Sequence, residues 1–233
     1  MRDKRNNLGV VLLFGRKNCL YTNKIKKFLE KNSKTFYFIE SEKIGEKITN
    51  LKKKYLKIKY DYIFCFRSFY IINKKLLNNT NVAAINFHAG PPEYRGTGAA
   101  NYAMYENSKF YGSTAHLINE KIDNGKIINV KKFKLNKEIE LEPMLKKTYS
   151  IMLKQAFYII KKLLINSNNL KTLISKNSKY KWSNKIKKLK DLDKFYEIKI
   201  NYNKKKLNNK IRATYTSKFK PYIIFHKRKF ILN

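Results

Sequence analysis

Four short apolar runs between Leu8 and Phe87 constrain the fold more than anything else in the sequence. The first, Leu8 to Phe14, is continuous and ends at Gly15. That is the pattern of a strand covered on both faces. Residues 18–31 then place Leu20, Ile25, Phe28 and Leu29 among lysines, at helical spacing. Thr35 to Ile39 reads as a second strand, 45–56 as a second helix, Tyr60 to Phe66 as a third strand and Ala83 to Phe87 as a fourth. Strands alternating with helices build βαβ units. The expected fold class is therefore α/β, a mostly parallel twisted sheet with helices on both faces. The basic residues Arg2, Lys4 and Arg5 give the first run a faint likeness to a signal peptide. Gly15-Arg16-Lys17 follows it without a small-residue cleavage site, so it is read as a buried strand.

Further along, Gly112 to Ile118 and Lys126 to Phe133 read as strands around a turn at Asn119 to Gly125. Residues 141–164 carry Leu141, Met144, Leu145, Tyr149, Met152, Leu153, Ala156 and Ile160 in one stripe, which predicts a core-facing helix. Pro143 sits in its first turn, where a missing N–H costs little. The polar stretch Asn166 to Asn169 predicts a linker, and with it a division into residues 1–165 and a small C-terminal annex, 166–233. The annex closes on Tyr222 to Leu232, two apolar runs around a basic turn, which predicts a β-hairpin.

Composition narrows the function classes. Two cysteines and three histidines, with no Cys/His pairing at ligand spacing, suit neither a disulfide framework nor a zinc centre, so no metal is expected. No apolar run reaches the ~20 residues that span a bilayer, so a cytoplasmic protein without membrane insertion is expected. The formal charge of +37 suggests nucleic acid as a partner. Yet the cations are mostly lysines spread among Asn, Ile, Tyr and Phe, the residues of A/T-rich codons, and lysine recognises phosphate with less shape than arginine does. Genome-wide base composition explains the charge as well as a polyanionic partner does, and either way the field draws anionic substrates.

In open α/β sheets ligands bind beyond the carboxyl ends of the strands. Two loops fall there, one after Phe66 and one after Phe87. The second, His88-Ala-Gly-Pro-Pro-Glu-Tyr-Arg-Gly-Thr-Gly98, holds three of the eight glycines and two of the four prolines, so it has a built shape. Thr97 is expected to cap a helix over residues 98–107. Asn86 and His88 stand two apart at a strand end and so share a face. A carboxamide and an imidazole there offer an oxyanion donor and a proton carrier, and Asp123 can orient the imidazole or take a proton. Spacing alone leaves the plain alternatives open: a turn-capping Asn, a structural His, and a common Asp-Asn-Gly turn.

Ile85-Asn-Phe-His-Ala-Gly-Pro-Pro-Glu-Tyr-Arg-Gly96, followed by Gly112-Ser-Thr-Ala-His-Leu-Ile-Asn-Glu-Lys-Ile-Asp-Asn-Gly-Lys-Ile127, resembles the core of the folate-dependent formyltransferases. The resemblance implies a formyltransferase (Rossmann-like) fold and 10-formyltetrahydrofolate as cosubstrate. It implies that Asn86 polarises the formyl oxygen and stabilises the tetrahedral intermediate. His88 holds the oxyanion and relays a proton to the folate nitrogen, while Asp123 positions His88 and takes the proton of the attacking amine. His116 supports the site or serves only the fold. The pterin lies against the backbone of the loop at Arg67, Ser68, Phe69, Tyr70 and Ile71. Ala89 and Arg95 depart from the family pattern, which often carries Pro there, and this leaves the substrate class less defined.

The tail resembles the branch acting on nucleotide-linked amino sugars for surface polysaccharide such as lipopolysaccharide O-antigen, for example GDP-perosamine N-formyltransferases. That branch implies substrate contacts from Tyr94, Arg95 and Gly96, stacking by Trp182, and a diphosphate contact from Arg212. For the last two a core or hinge role and a surface ion pair are the plain alternatives. Methionyl-tRNA formyltransferases share the core motifs but carry a substantial C-terminal barrel, for which the stretch after residue 165 is short. Glycinamide ribonucleotide formyltransferases have a different Pro/Gly loop. A non-catalytic, basic nucleic-acid-binding protein on the same fold is the third reading. The closing hairpin covers the monomer or pairs two copies into a homodimer.

Overall fold

The computed structural model describes residues 7–42, 53–136 and 138–232. Strand β1 (Val10–Arg16) leads into helix α1 (Leu20–Asn32), then β2 (Thr35–Ser41), β3 (Tyr60–Phe66), α2 (Lys74–Asn78) and β4 (Thr80–His88). A two-residue strand β5 (Arg95–Gly96) and α3 (Ala99–Tyr105) follow, then β6 (Phe110–Leu117), β7 (Ile127–Lys134) and the long α4 (Leu141–Ile165). The tail comprises α5 (Asn169–Lys176), β8 (Ile186–Lys187), α6 (Leu189–Phe195), α7 (Lys204–Thr214), β9 (Tyr222–Phe225) and β10 (Arg228–Ile231).

Six strands form one sheet in the order β2-β1-β3-β4-β6-β7. The first four pair in parallel; β6 and β7 pair antiparallel. Alternation along the strands sends side chains into two cores. Val11, Leu13, Phe64, Phe66 and Ile85 face α1 and α4, while Leu12, Phe14, Ile63, Cys65 and Ala84 face the side covered by Leu76 of α2 and by Tyr55 and Leu56. A third core joins α3 and the start of α4 to α7 through Ala103, Met104, Met144 and Ala213. The mostly parallel sheet, its helices and the closing hairpin follow the sequence expectation. Of the helix expected at 45–56, residues 45–52 lie outside the described residues, and Lys53–Leu56 form a single 3-10 turn.

Two local expectations are corrected. The polar stretch Asn166 to Asn169 is a tight helix–helix turn, not a linker. Asn166 caps the end of α4, its side chain accepts from the Asn168 N–H at 2.8 Å, and Leu170 and Leu173 of α5 enter the same core as β1. Helix α3 is capped not by Thr97 but by Gly98, whose φ of +77° no β-branched residue adopts cheaply.

A buried carboxamide ties α4 to the sheet. Gln155 accepts from Ser113 Oγ at 2.9 Å and donates to the carbonyl and side-chain oxygens of Asn129 at 3.0 and 2.9 Å. The hairpin turns on His226 and Lys227, both at positive φ, and leaves Ile224, Phe225, Phe230 and Ile231 about half exposed.

Candidate active site

The site sits at the carboxyl end of β4, where the parallel part of the sheet meets the antiparallel part. The parallel pair β3–β4 sets Asn86 beside Cys65, and the antiparallel pair β4–β6 sets it opposite His116. Register therefore brings Asn86, His88 and His116 to one end of the sheet, and the turn between β6 and β7 delivers Asp123.

Asp123 is the hub. Its Oδ1 lies 3.3 Å from His116 Nε2 and 3.4 Å from Asn86 Nδ2. Its Oδ2 lies 3.4 Å from His88 Nδ1 and accepts from the Gly96 N–H at 3.1 Å. The residue is 8% exposed and holds a left-handed φ of +43°, a conformation aspartate tolerates better than most side chains. Burial pushes its carboxyl up. The two histidines and the Gly96 N–H outweigh that and hold it well below the usual carboxylate range, so Asp123 is a fixed negative charge.

His88 spans two acceptors: Nε2 meets the Tyr94 carbonyl at 2.9 Å while Nδ1 faces Asp123. A carbonyl only accepts, so Nε2 carries a proton, and the carboxylate can stabilise a second proton on Nδ1. His116 Nδ1 lies 2.8 Å from the Leu117 carbonyl, and its Nε2 lies 3.1 Å from Asn86 Nδ2. The Asn86 amide nitrogen carries two protons and spends one on this pair of partners.

Loop 89–98 is shaped by anchors to the sheet. Tyr111 Oη donates to the Ala89 carbonyl at 2.6 Å and Thr114 Oγ1 to the Gly90 carbonyl at 2.8 Å. At Gly90 a Cβ would stand 2.6 Å from His88 Nε2, so glycine is what lets the imidazole lie where it does. Arg95 donates from Nε and Nη2 to the Ile122 carbonyl, at 2.9 and 2.7 Å, which clips the loop to the Asp123 turn.

The loop after β3 is tied to β2. Ser41 Oγ accepts from the Phe69 N–H at 2.9 Å, Ser68 Oγ accepts from the Tyr70 N–H at 3.1 Å, and the Arg16 guanidinium covers the Phe69 ring. Arg67, at a φ of +55°, lays its guanidinium 3.6 Å from the Tyr149 ring centroid and donates to Cys19 Sγ. Lys74, the first residue of α2 after this loop, pairs with Glu120 of the Asp123 turn at 3.2 Å, so the loop and the turn stand side by side. Each shows one bare aliphatic side chain: Ile71 is 63% and Ile122 48% exposed.

Of the residues singled out in the sequence, the structure gathers Asn86, His88, Asp123 and His116 at one point, with Arg95, Gly96 and Trp182 touching the same loops. Tyr94 contributes its carbonyl only. Its ring joins the third core, where burial pushes the phenol up to about 12. Arg212 works at the far end of α3, donating to the Met104 carbonyl at 3.0 Å and to Asn107. Trp182 does more than a solvent-facing stacking platform: its Nε1–H donates to the Gly125 carbonyl at 2.8 Å and its ring packs T-shaped on His116 and His88, centroids 4.9 and 5.9 Å away. Sequence reasoning missed the main-chain groups, namely the carbonyls of Tyr94 and Gly125 and the segment Ser183 to Lys187. Backbone atoms leave no residue-type signal. Gly96 and Gly125 were the visible traces: a Cβ would meet the Lys187 carbonyl at 2.2 Å and the Leu117 carbonyl at 1.7 Å, respectively.

Among the described residues no group of three or more His, Cys, Asp or Glu side chains is arranged to hold a metal ion, and no helix is long and apolar enough to cross a membrane.

Comparison with known proteins adds three findings. The family model described as "Formyl transferase" matches residues 1–155. A methionyl-tRNA formyltransferase from Hydrogenobaculum sp. (strain Y04AAS1) is 31% identical over 100 residues, which is 42% of this chain and only 33% of that protein's length. Among solved structures, a 4-N formyltransferase from Francisella tularensis superimposes with a TM-score of 0.73 at 18% identity, covering 96% of both chains. An N-formyltransferase from Helicobacter canadensis, crystallised with folinic acid and dTDP-3-aminofucose, gives a TM-score of 0.65 at 17% identity, over 93% of this chain and 84% of that one.

Proposed function

Since the chain belongs to the formyl transferase family, we propose that it moves a formyl group from 10-formyltetrahydrofolate to the amine of a nucleotide-linked amino sugar. The observation that carries the chemistry is the Asp123 hub, a buried carboxylate holding two imidazoles and a carboxamide at the open end of the sheet. When bound, 10-formyltetrahydrofolate supplies an activated formyl carbon. These loops suit its flat pterin, because Ile71 and Ile122 offer bare aliphatic contacts from two segments held side by side. Arg67, Ser68, Phe69, Tyr70 and Ile71 form the floor on the β3 side.

Asn86 donates its remaining amide proton to the formyl oxygen as negative charge builds there. His88, steadied by the Tyr94 carbonyl and Asp123, carries a proton toward the departing folate nitrogen. Asp123, a standing negative charge, draws the proton from the attacking amine. His116 fixes the Asn86 carboxamide and shares the charge of Asp123.

The sugar reading draws support from end-to-end likeness to the Francisella tularensis 4-N formyltransferase, over 96% of both chains, and from likeness to the Helicobacter canadensis enzyme crystallised with dTDP-3-aminofucose. It would place the reaction in the cytoplasm, in the supply of formylated sugars for surface polysaccharide. The half-exposed apolar hairpin suits pairing of two copies, which sedimentation would test. A second reading, formylation of methionyl-tRNA, draws on the curated relative and on the charge of +37.

The deciding assay incubates the protein with 10-formyltetrahydrofolate and a panel of amines and follows folate release. Turnover with a nucleotide-linked amino sugar and none with methionyl-tRNA is expected; the reverse pattern selects the second reading. His88→Ala should lower turnover by ~100-fold or more, and a near-normal rate would remove His88 from the chemistry.

A further inference from the structure

The segment from Trp182 to Lys187 crosses both loops of the site and is fastened to each. Trp182 donates to the Gly125 carbonyl on the Asp123 turn. The Ser183 N–H donates to the Pro92 carbonyl at 3.0 Å, and the Thr97 N–H to the Lys187 carbonyl at 2.9 Å. Arg95 and Gly96 pair in parallel with Ile186 and Lys187 as a miniature sheet. The same Gly96 gives its N–H to Asp123. One short strap thus fixes the spacing between the Pro/Gly loop and the Asp123 turn, and its only aromatic residue rests on both site imidazoles.

We infer that this strap, with Trp182 at its centre, is a positioning device of the catalytic centre rather than a substrate-stacking platform. The inference rests on the transfer reaction proposed above. The indole acts on His88 and His116 by packing T-shaped against both, which blocks rotation of either ring away from Asp123. A Trp→Gly125 hydrogen bond in this shielded place stops the turn from drifting, and a misplacement of ~1 Å in such a site can cost ~100-fold in rate. Its contacts run to the two imidazoles and the Gly125 carbonyl, so its effect runs through the histidines and the Asp123 turn.

Two measurements test this. Trp182→Ala should lower kcat by ~30-fold or more while KM for amine and for folate changes by less than about threefold, as expected when positioning is lost and binding is not. Trp182→Phe keeps the ring contact without the N–H and should restore kcat to within about fivefold of wild type. A loss confined to KM, or no loss in the alanine variant, overturns the proposal. The second measurement needs no turnover. Trp182 is the single tryptophan of the chain, so its fluorescence reports the strap alone. Gly96→Ala forces a Cβ against the Lys187 carbonyl, and should raise acrylamide quenching of Trp182 at least twofold at unchanged far-UV circular dichroism. Unchanged quenching overturns the strap. If wild type transfers formyl to no amine, the functional reading falls instead, and the quenching result decides the strap by itself.

Discussion

Asp123→Asn is nearly isosteric and therefore isolates the charge of the hub. The carboxylate receives four contacts, two on each oxygen: Asn86 and His116 on Oδ1, His88 and Gly96 on Oδ2. Whichever way the new carboxamide turns, its NH2 faces one fixed donor, the Asn86 amide or the Gly96 N–H, beside an imidazole nitrogen that loses its ion pair. Leaving a buried donor unmatched costs about 1–3 kcal/mol, and more beside a charged group. Relief of the carboxylate's own desolvation offsets part of that loss and of the lost ion pairing, so a net destabilisation of about 2 kcal/mol is expected. For a chain of this size that lowers Tm by roughly 4–8 °C. The pH dependence has a definite sign. The folded carboxyl titrates below its ordinary range, so its contribution is present above the unfolded value near pH ~4 and is lost as pH falls toward the folded value. Calorimetry at pH 7 should therefore show a Tm gap that shrinks when both proteins are measured below pH ~4. Turnover should drop by ~100-fold or more at pH 7, because the base and the orienting charge go together. A gap of the same size at both pH values, or no gap at all, would refute the hub as a charged centre.

Gly90→Ala places a Cβ 2.6 Å from His88 Nε2, so the imidazole must swing off the Tyr94 carbonyl. Turnover should fall by ~10-fold or more with little change in Tm, as steady-state kinetics and melting will show. Leu173→Ala empties part of the main core and should cost about 2–4 kcal/mol in denaturant unfolding; an effect under ~0.5 kcal/mol would restore the linker reading of Asn166 to Asn169.

Local chemistry made part of this molecule legible from sequence, and long-range register hid the rest. Tyr60 to Phe66 is a strand with the expected bounds because Tyr62 to Phe66 form an unbroken apolar run and the charged Lys59 and Arg67 flank the segment. Asn86 and His88 share a face because a strand repeats every second residue, which no tertiary context alters. That His116 lies opposite Asn86 depends on antiparallel pairing set by side chains elsewhere in the sheet, so its role stayed open until the register was known. Thr97 was misjudged because its residue type fits a cap while the required backbone conformation belongs to Gly98. Polarity misled at Asn166 to Asn169, since side-chain amides that cap helix ends look in sequence like those of a linker. Arg212 offered a cation of the kind phosphates attract, yet its guanidinium satisfies the end of α3, a demand only packing reveals.

The buried Gln155 has a consequence for how this architecture can vary. Its amide reaches Ser113 and Asn129 from a single turn of α4, and each residue of a helix adds a rotation of ~100°. A one-residue insertion or deletion between the start of α4 and Gln155 would swing the amide off its three oxygens and bury it unsatisfied. The first half of α4 thus behaves as a ruler whose graduations are fixed by the strands beneath it.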